Sequence, residues 1–120
     1  MFALQFVQTI RLPGILDDLI EELESTPSSS HRCRLIRKLA LSHSSAAVQP
    51  IVPFLAWDVR VRPVAVEALV SLGEDAREAM LDLLRDPSRR ELHAGAVLVL
   101  AGLVRADALR VASRGLTSSG

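Results

Sequence analysis

Apolar and polar positions follow one another with the period of an α-helix along most of the chain. The first clear stripe has apolar residues three and four apart, with five acidic residues on the other faces. Its members are Leu12, Ile15, Leu16, Leu19, Ile20 and Leu23. The stripe predicts an amphipathic helix over Leu12–Leu23, which ends at the serine-rich stretch Ser25–Ser30.

Beyond this connector the pattern predicts helices in pairs. The first pair covers Arg32–Leu41 and Ala46–Ala56. We expect the second of these helices to start late or to bend, because Pro50 and Pro53 have no backbone N–H to donate.

The next boundaries are set by capping residues and by glycine. Asp58 is a suitable N-cap for a helix through Leu72, and Gly73 ends that helix. A further helix runs to about Arg85 before the chain breaks, with Asp86 and Ser88 as candidate caps. A long apolar helix to about Val104 and a short final helix, Ala106–Ser113, complete the prediction.

These helix pairs repeat along the sequence. A shift of 30 residues places Leu39 on Leu69 and Arg32 on Arg62, and a shift of 31 places Leu69 on Leu100. Such a period is typical of a helical solenoid, in which each pair completes the core of its neighbour. We therefore predict one all-α domain over residues 1–120, an α-solenoid of about three helix pairs. The predicted parts are N-terminal cap helices (1–30), repeat units (31–57, 58–87 and 88–114) and a tail (115–120).

Two segments resemble a known family. "AAVQPIVPFL" (Ala46–Leu55) and "DVRVRPVAVEALVSLG" (Asp58–Gly73) are similar to the short HEAT-like repeats of the bacterial and archaeal phycobilisome-lyase type. The resemblance is strong over Ala46–Pro87, fair on either side, and missing over residues 1–30. It implies that Asp58 and Arg62 form a hydrogen-bonded ladder between neighbouring repeats, which Arg32 would extend.

The third repeat departs from this pattern. His93 stands where the ladder arginine would fall, and Arg89 stands in place of the aspartate. The departure calls into question whether the ladder, or a surface built on it, reaches the C-terminal end.

Charge is balanced overall but uneven along the chain. The formal net charge is zero, whereas residues 31–66 carry six basic residues against one acidic residue. This basic strip is either neutralised by neighbouring helices or meets an anionic partner. Aromatic residues make up only 3% of the chain, which disfavours a site that stacks sugars or bases on ring faces.

The sequence offers no set of residues suited to catalysis or metal binding. His31, Cys33 and His43 are three ligands, and a structural zinc site usually needs four. Some HEAT-like oxygenases bind iron through adjacent His-Glu pairs, but Ala94 follows His93 here. No nucleophile elbow or phosphate-binding glycine motif occurs. We expect no catalytic residue, no cofactor and no metal.

These observations favour a non-catalytic protein–protein interaction module: a scaffold, adaptor or regulatory subunit. We expect Arg32, Arg37, Trp57, Arg60 and Arg62 to contact the protein partner. The alternative is binding of a nucleic-acid backbone by the same arginines, as in some HEAT-like DNA glycosylases. A weaker third hypothesis, a chaperone for a chromophore, follows from the family name alone.

The segment Ala94–Val104 contains no polar side chain. It is either buried between the second pair and the final helix, or it docks a partner or a second copy of the chain. Because it is about half as long as a bilayer span, we expect no membrane contact. A lone cysteine and the lack of a positively charged start indicate a cytoplasmic protein.

Overall fold

The computed structural model describes the backbone of residues 15–119 and the side chains of residues 15–114. In that part of the chain all regular elements are helical and no strand occurs, which confirms the all-α prediction. The α-helices are α1 (residues 15–25), α2 (Ser29–Leu41), α3 (Val48–Ile51), α4 (Arg62–Leu72), α5 (Glu74–Arg85) and α6 (His93–Ser119). Short 3₁₀ segments are η1 (Ser45–Ala47), η2 (Val52–Leu55) and η3 (Pro87–Leu92).

The helices form two layers. In one layer α4 lies between α2 and α6, and in the other α3 packs beside α5. Contacts between the layers join α3 to α4 and α5 to α6. Each helix pair therefore covers a face that its neighbour would otherwise expose, which is the solenoid arrangement predicted from the repeat.

Helix α1 covers the N-terminal side of this stack. Leu23 is fully buried, and three further members of its apolar stripe pack against the core: Leu16, Leu19 and Ile20. The five acidic residues of the helix are exposed. The amphipathic orientation is as predicted, while the predicted start at Leu12 lies outside the described residues.

Residues 45–55 form an irregular helical tract. A single turn of α-helix, α3, lies between the 3₁₀ segments η1 and η2. The physical reason is that Pro50 and Pro53 cannot donate the backbone hydrogen bonds that would continue an α-helix. The tract is nevertheless central to the core, since its buried residues are Ala47, Val48, Ile51, Val52, Phe54 and Leu55.

Asp58 caps a turn that precedes α4. Its carboxylate accepts a hydrogen bond of 2.9 Å from the Arg60 amide, and its carbonyl accepts bonds from the Val61 and Arg62 amides. The regular helix begins only at Arg62, later than predicted, because Pro63 interrupts the first turn. At the other end Gly73, with φ 71°, terminates α4 as expected for a residue without a β-carbon.

Helix α6 corrects the prediction for the C-terminal region. The predicted boundary near Arg105 does not exist, and α6 runs for 27 residues from His93 to Ser119, roughly 40 Å at 1.5 Å per residue. No proline or glycine lies between Val104 and Ala108, so nothing there breaks the helix. The backbone also remains helical through Gly115, beyond the predicted end of the final helix at Ser113.

The spacing between repeats differs slightly from the predicted value in the second layer. A shift of 30 pairs buried Ile51 with exposed Leu81, whereas a shift of 29 pairs it with buried Met80. The same shift of 29 pairs Ala47 with Ala76 and Phe54 with Leu83, all buried. One residue turns a helix by about 100°, so burial fixes the register more finely than sequence similarity.

Candidate interaction surfaces

The start of α4 is joined to the start of α2 through Asp58. The Ser29 hydroxyl donates a hydrogen bond of 2.5 Å to Oδ2 of Asp58, across two repeat units. This bond lowers the pKa of Asp58, helped by the Arg60 amide and by the nearby charges of Arg60 and Arg32. The side chain therefore stays ionised, and its observed inter-repeat partner is Ser29.

Arg32 lies over an aromatic pair on the same edge of the solenoid. Its guanidinium carbon is 5.8 Å from the centroid of the Phe54 ring, a distance suited to a cation–π contact. The Phe54 ring meets the Trp57 ring edge-on, with centroids 5.4 Å apart. Phe54 is buried, whereas 68% of Trp57 is exposed. Trp57 also borders a shallow pocket against α3, together with Glu24 and Pro53.

A second surface is an open groove between α4 and α6, with a volume of about 580 Å³. Its floor is apolar, and its charged residues are Arg62, Glu67 and Arg105. The apolar lining consists of Pro63, Val66, Val70, Leu98, Ala101, Gly102, Ala106 and Leu109. An apolar floor with a few charges at the rim can hold an amphipathic segment of a partner protein.

The predicted partner-binding residues do not form one strip. Arg32, Trp57 and Arg60 cluster around Asp58, while Arg62 lines the groove between α4 and α6. Arg37 is exposed on α2, five residues beyond Arg32 and so about 140° around the helix. The Nε atoms of Arg32 and Arg62 share one trait: both are buried, with no hydrogen-bond partner among the described residues.

The C-terminal repeat uses other contacts. At the position where the ladder arginine would fall, the His93 ring is 3.0 Å from the carbonyl of Asp86, seven residues earlier in the chain. A different polar link joins the last two units: Arg77 on α5 donates to Asp107 on α6 over 2.8 Å. Asp107 and Glu74 raise the pKa of Arg77, and Arg110 contacts the same Asp107 carboxylate.

One side of α6 is left uncovered. Ala96, Val99 and Leu103 are buried against the solenoid, but Val97, Leu98 and Val104 are half exposed or more. The short final helix, one of the two elements that could have covered this segment, is instead the continuation of α6 itself. The segment Ala94–Val104 is therefore buried on one face and open on the other.

Pro87–Arg114 is long and apolar enough to cross a membrane, judged by length and composition alone. The sequence-based estimate of the length available to span a bilayer was too short, because it counted only the uninterrupted apolar run Ala94–Val104. A core helix of a soluble protein and a signal sequence have the same properties.

The three side chains considered as metal ligands, His31, Cys33 and His43, have different surroundings. The His31 ring contacts the Glu22 carboxylate, and the Cys33 thiol lies 4.0 Å from the Arg60 carbonyl. His43 follows α2 in a left-handed backbone conformation, with φ 53°. Within residues 15–114, no group of three or more His, Cys, Asp and Glu side chains could hold a metal ion.

Several contacting residues were not anticipated from the sequence. Ser29 and the Arg77–Asp107 pair carry polar contacts between units, and Phe54 carries the ring contacts with Arg32 and Trp57 inside one unit. A usable signal exists for two of these contacts: Ser29 and Asp58 are 29 residues apart, and Arg77 and Asp107 are 30 apart. Hydrogen-bonding or oppositely charged residues separated by one repeat are candidates for such links.

Comparison with known proteins places this geometry in a family. The family model described as HEAT repeats matches residues 16–101. The match includes most of α1, where no resemblance was expected, and it does not single out the phycobilisome-lyase type. Comparison with curated proteins and with solved structures gave no match.

Proposed function

Since the chain belongs to the HEAT repeat family, whose repeats commonly mediate protein–protein interaction, we propose that it is a non-catalytic interaction module that acts as a scaffold, adaptor or regulatory subunit. The observation that carries the proposal is the groove between α4 and α6. It is open, mostly apolar, and rimmed by Arg62, Glu67 and Arg105. We infer that it takes an amphipathic segment of another protein.

The arginine edge gives the partner a second point of contact. Arg32, Trp57 and Arg60 lie together at the starts of α2 and α4, and Arg62 is two residues beyond Arg60 at the groove. Exposed tryptophan and arginine are the residue types that most often anchor protein interfaces. A partner segment with acidic residues at the end near Arg62 would fit both surfaces. Arg37 is the least supported member of the predicted set, because it lies on another face.

The two carboxylates with a perturbed pKa are not suited to act as general acids. Asp58 and Asp86 have lowered pKa values, caused first by hydrogen bonds from Ser29 and Ser88, respectively. A lowered pKa keeps a carboxylate ionised, while a general acid at neutral pH needs a raised one. A single cysteine, Cys33, is compatible with a reducing compartment, and we propose a cytoplasmic location on that ground.

The test compares a groove variant with a matched control on the other layer. The groove variant carries Arg62→Glu and Val66→Glu, and the control carries Leu81→Glu at an exposed position of α5. Circular dichroism first shows that both variants are folded. We expect proteins that copurify with the wild-type chain from its native cells to be lost with the groove variant and retained with the control. Equal recovery with both variants would contradict the proposal.

Nucleic-acid binding is the competing outcome. If the arginines held phosphate, the affinity for duplex DNA would fall as salt rises. The slope of log affinity against log salt concentration would be about −1 for each phosphate contact. We expect no DNA binding at physiological salt. Salt-sensitive binding that disappears with Arg34→Glu and Arg62→Glu would replace the proposed function.

A further inference from the structure

The open face of α6 carries a regular apolar stripe. Its residues are spaced alternately by three and four positions, and alanine alternates with valine: Ala94, Val97, Ala101, Val104, Ala108 and Val111. All six are exposed, with 53% of Val97 and 67% of both Val104 and Val111 accessible. This spacing is that of the contact seam between two paired helices. From Ala94 to Val111 the stripe is about 26 Å long.

The stripe faces away from the rest of the solenoid. On the opposite side of α6 the backbone approaches its neighbours closely: a β-carbon on Gly95 would meet Leu55 at 2.7 Å, and one on Gly102 would meet Val70 at 2.6 Å. Asp107 is directed to Arg77 on α5. At 100° per residue, Arg105 is the one charged side chain within about 80° of the stripe centre over residues 94–112.

The stripe is complementary to itself when reversed. If two copies of α6 run antiparallel about a two-fold axis between Gly102 and Leu103, each alanine faces a valine. The pairs are Ala94 with Val111, Val97 with Ala108, and Ala101 with Val104. A parallel pair would instead place alanine on alanine and valine on valine. Alternation of small and large residues across a seam fills space evenly, so the antiparallel arrangement packs better.

We propose that α6 pairs in antiparallel orientation with α6 of a second copy of this chain, through the stripe Ala94–Val111. The stripe adjoins the groove of the proposed function and shares Ala101 with it. The two proposals can still fail separately, because Arg62 and Val66 lie outside the stripe and Val104 lies outside the groove lining. A half-cylinder of helix of this length offers on the order of 500 Å² per partner. Stable interfaces bury about 800 Å² per partner, so we expect the dimer to be weak.

A lipid bilayer is the other occupant that fits an apolar helix face. Helices that lie in a membrane surface present tryptophan, phenylalanine and leucine to the lipid, whereas this stripe consists of alanine and valine. Crossing a bilayer would also remove Ala96, Val99 and Leu103 from their buried positions against the solenoid. Both observations favour a second copy.

Sedimentation of the full chain over about 1–500 μM tests the association itself. We expect the weight-average mass to rise towards that of a dimer. Val104→Glu should raise the Kd at least about tenfold, because it places a charge in the seam. Val59→Glu, at an exposed position outside α6, should leave the association unchanged. A strict monomer across this range would overturn the proposal.

Disulfide trapping tests the orientation and does not depend on a disruptive variant. In a Cys33→Ser background, Ala94→Cys and Val111→Cys are made in separate chains. Antiparallel pairing predicts a disulfide-linked dimer when the two chains are mixed, and none from either chain alone. Linkage within each single variant would show a parallel pair and overturn the proposal. A second result would also overturn it. In that result the chain is monomeric, it sediments together with phosphatidylcholine–phosphatidylglycerol vesicles, and Val104→Glu abolishes this vesicle binding.

Discussion

The Ser29 hydroxyl donates to the Asp58 carboxylate over 2.5 Å and joins the starts of α2 and α4, two neighbouring helices of one layer. The bond is the first cause of the lowered pKa of Asp58. Since Asp58 also caps the turn before α4, one carboxylate sets both a local helix start and a contact between repeats. A single proton on it weakens both.

This arrangement predicts a dependence of stability on acid. A lowered folded-state pKa means that the unfolded chain binds the proton more tightly, so the stabilisation is present above the unfolded value of about 3.9 and is lost as the pH falls through the folded value. We expect the difference in urea midpoint between wild type and Asp58→Asn to shrink as the pH falls below about 4.

Asp18→Asn, which removes an exposed carboxylate from α1, is the control for the loss of one charge. Ser29→Ala should lower the urea midpoint in the same pH-dependent way as Asp58→Asn, but by a smaller amount. A constant difference between wild type and Asp58→Asn from pH 7 to pH 2 would refute the role of this carboxylate.

The close approach of α6 to α4 predicts that a single methyl group is destabilising. A β-carbon at position 102 would lie 2.6 Å from Cγ2 of Val70, and overpacking of this kind costs about 1–3 kcal/mol. Part of this is offset by the better helix propensity of alanine, about 1 kcal/mol. We expect Gly102→Ala to lower the free energy of unfolding, as measured by urea denaturation.

The matched control removes the clash from the other side. In a Val70→Ala background the Cγ2 atom is gone, so Gly102→Ala should become neutral or stabilising. The two substitutions are then strongly non-additive. Additive effects would show that the two helices do not meet at this point.

Two adjacent residues test which face of α6 is turned towards the core. Leu103 is 4% exposed and Val104 is 67% exposed. Truncating a buried leucine to alanine costs about 2–5 kcal/mol, whereas a surface substitution changes stability by about 0.5 kcal/mol or less. Urea denaturation of Leu103→Ala and Val104→Ala, at concentrations below those of self-association, should give this order. The reverse order would mean that α6 is rotated.

Trp57 is the sole tryptophan of the chain, and its exposed ring makes it a direct reporter. We expect red-shifted emission and ready quenching by acrylamide, because 68% of the residue is accessible. Phe54→Leu should change the emission by removing the edge-on ring contact. Blue-shifted emission that resists quenching in a monomeric sample would contradict the exposed position.

The fold was predictable where the helical period of apolar residues and the helix-ending residues indicate the same boundary. Gly73 ends α4 and separates it from α5 as predicted, because only glycine adopts its backbone conformation at little cost. The error at Arg105 has the opposite cause: the end of an apolar run was taken for the end of a helix. Arg105, Ala106 and Asp107 change the polarity of the chain, but they include no glycine or proline that would break its backbone.

The surfaces were less predictable than the fold. Burial in the second layer follows a shift of 29 where sequence similarity had given 30, and such a slip moves a side chain to another helix face. Charge alone had placed Arg32 and Arg37 in one group, although they lie on different sides of α2. The partners of Asp58 and Asp107 depend on this same register, which periodicity alone does not resolve.

The way the units are linked bears on how the chain folds. Its polar links close segments of similar length: Ser29 to Asp58 spans 29 residues and Arg77 to Asp107 spans 30. Helical proteins whose contacts are this local fold in microseconds to milliseconds, since little chain entropy is lost before a contact forms. Folding of a repeat stack can begin at any unit and propagate to its neighbours. The N-terminal units can therefore fold during synthesis, before α6 has left the ribosome.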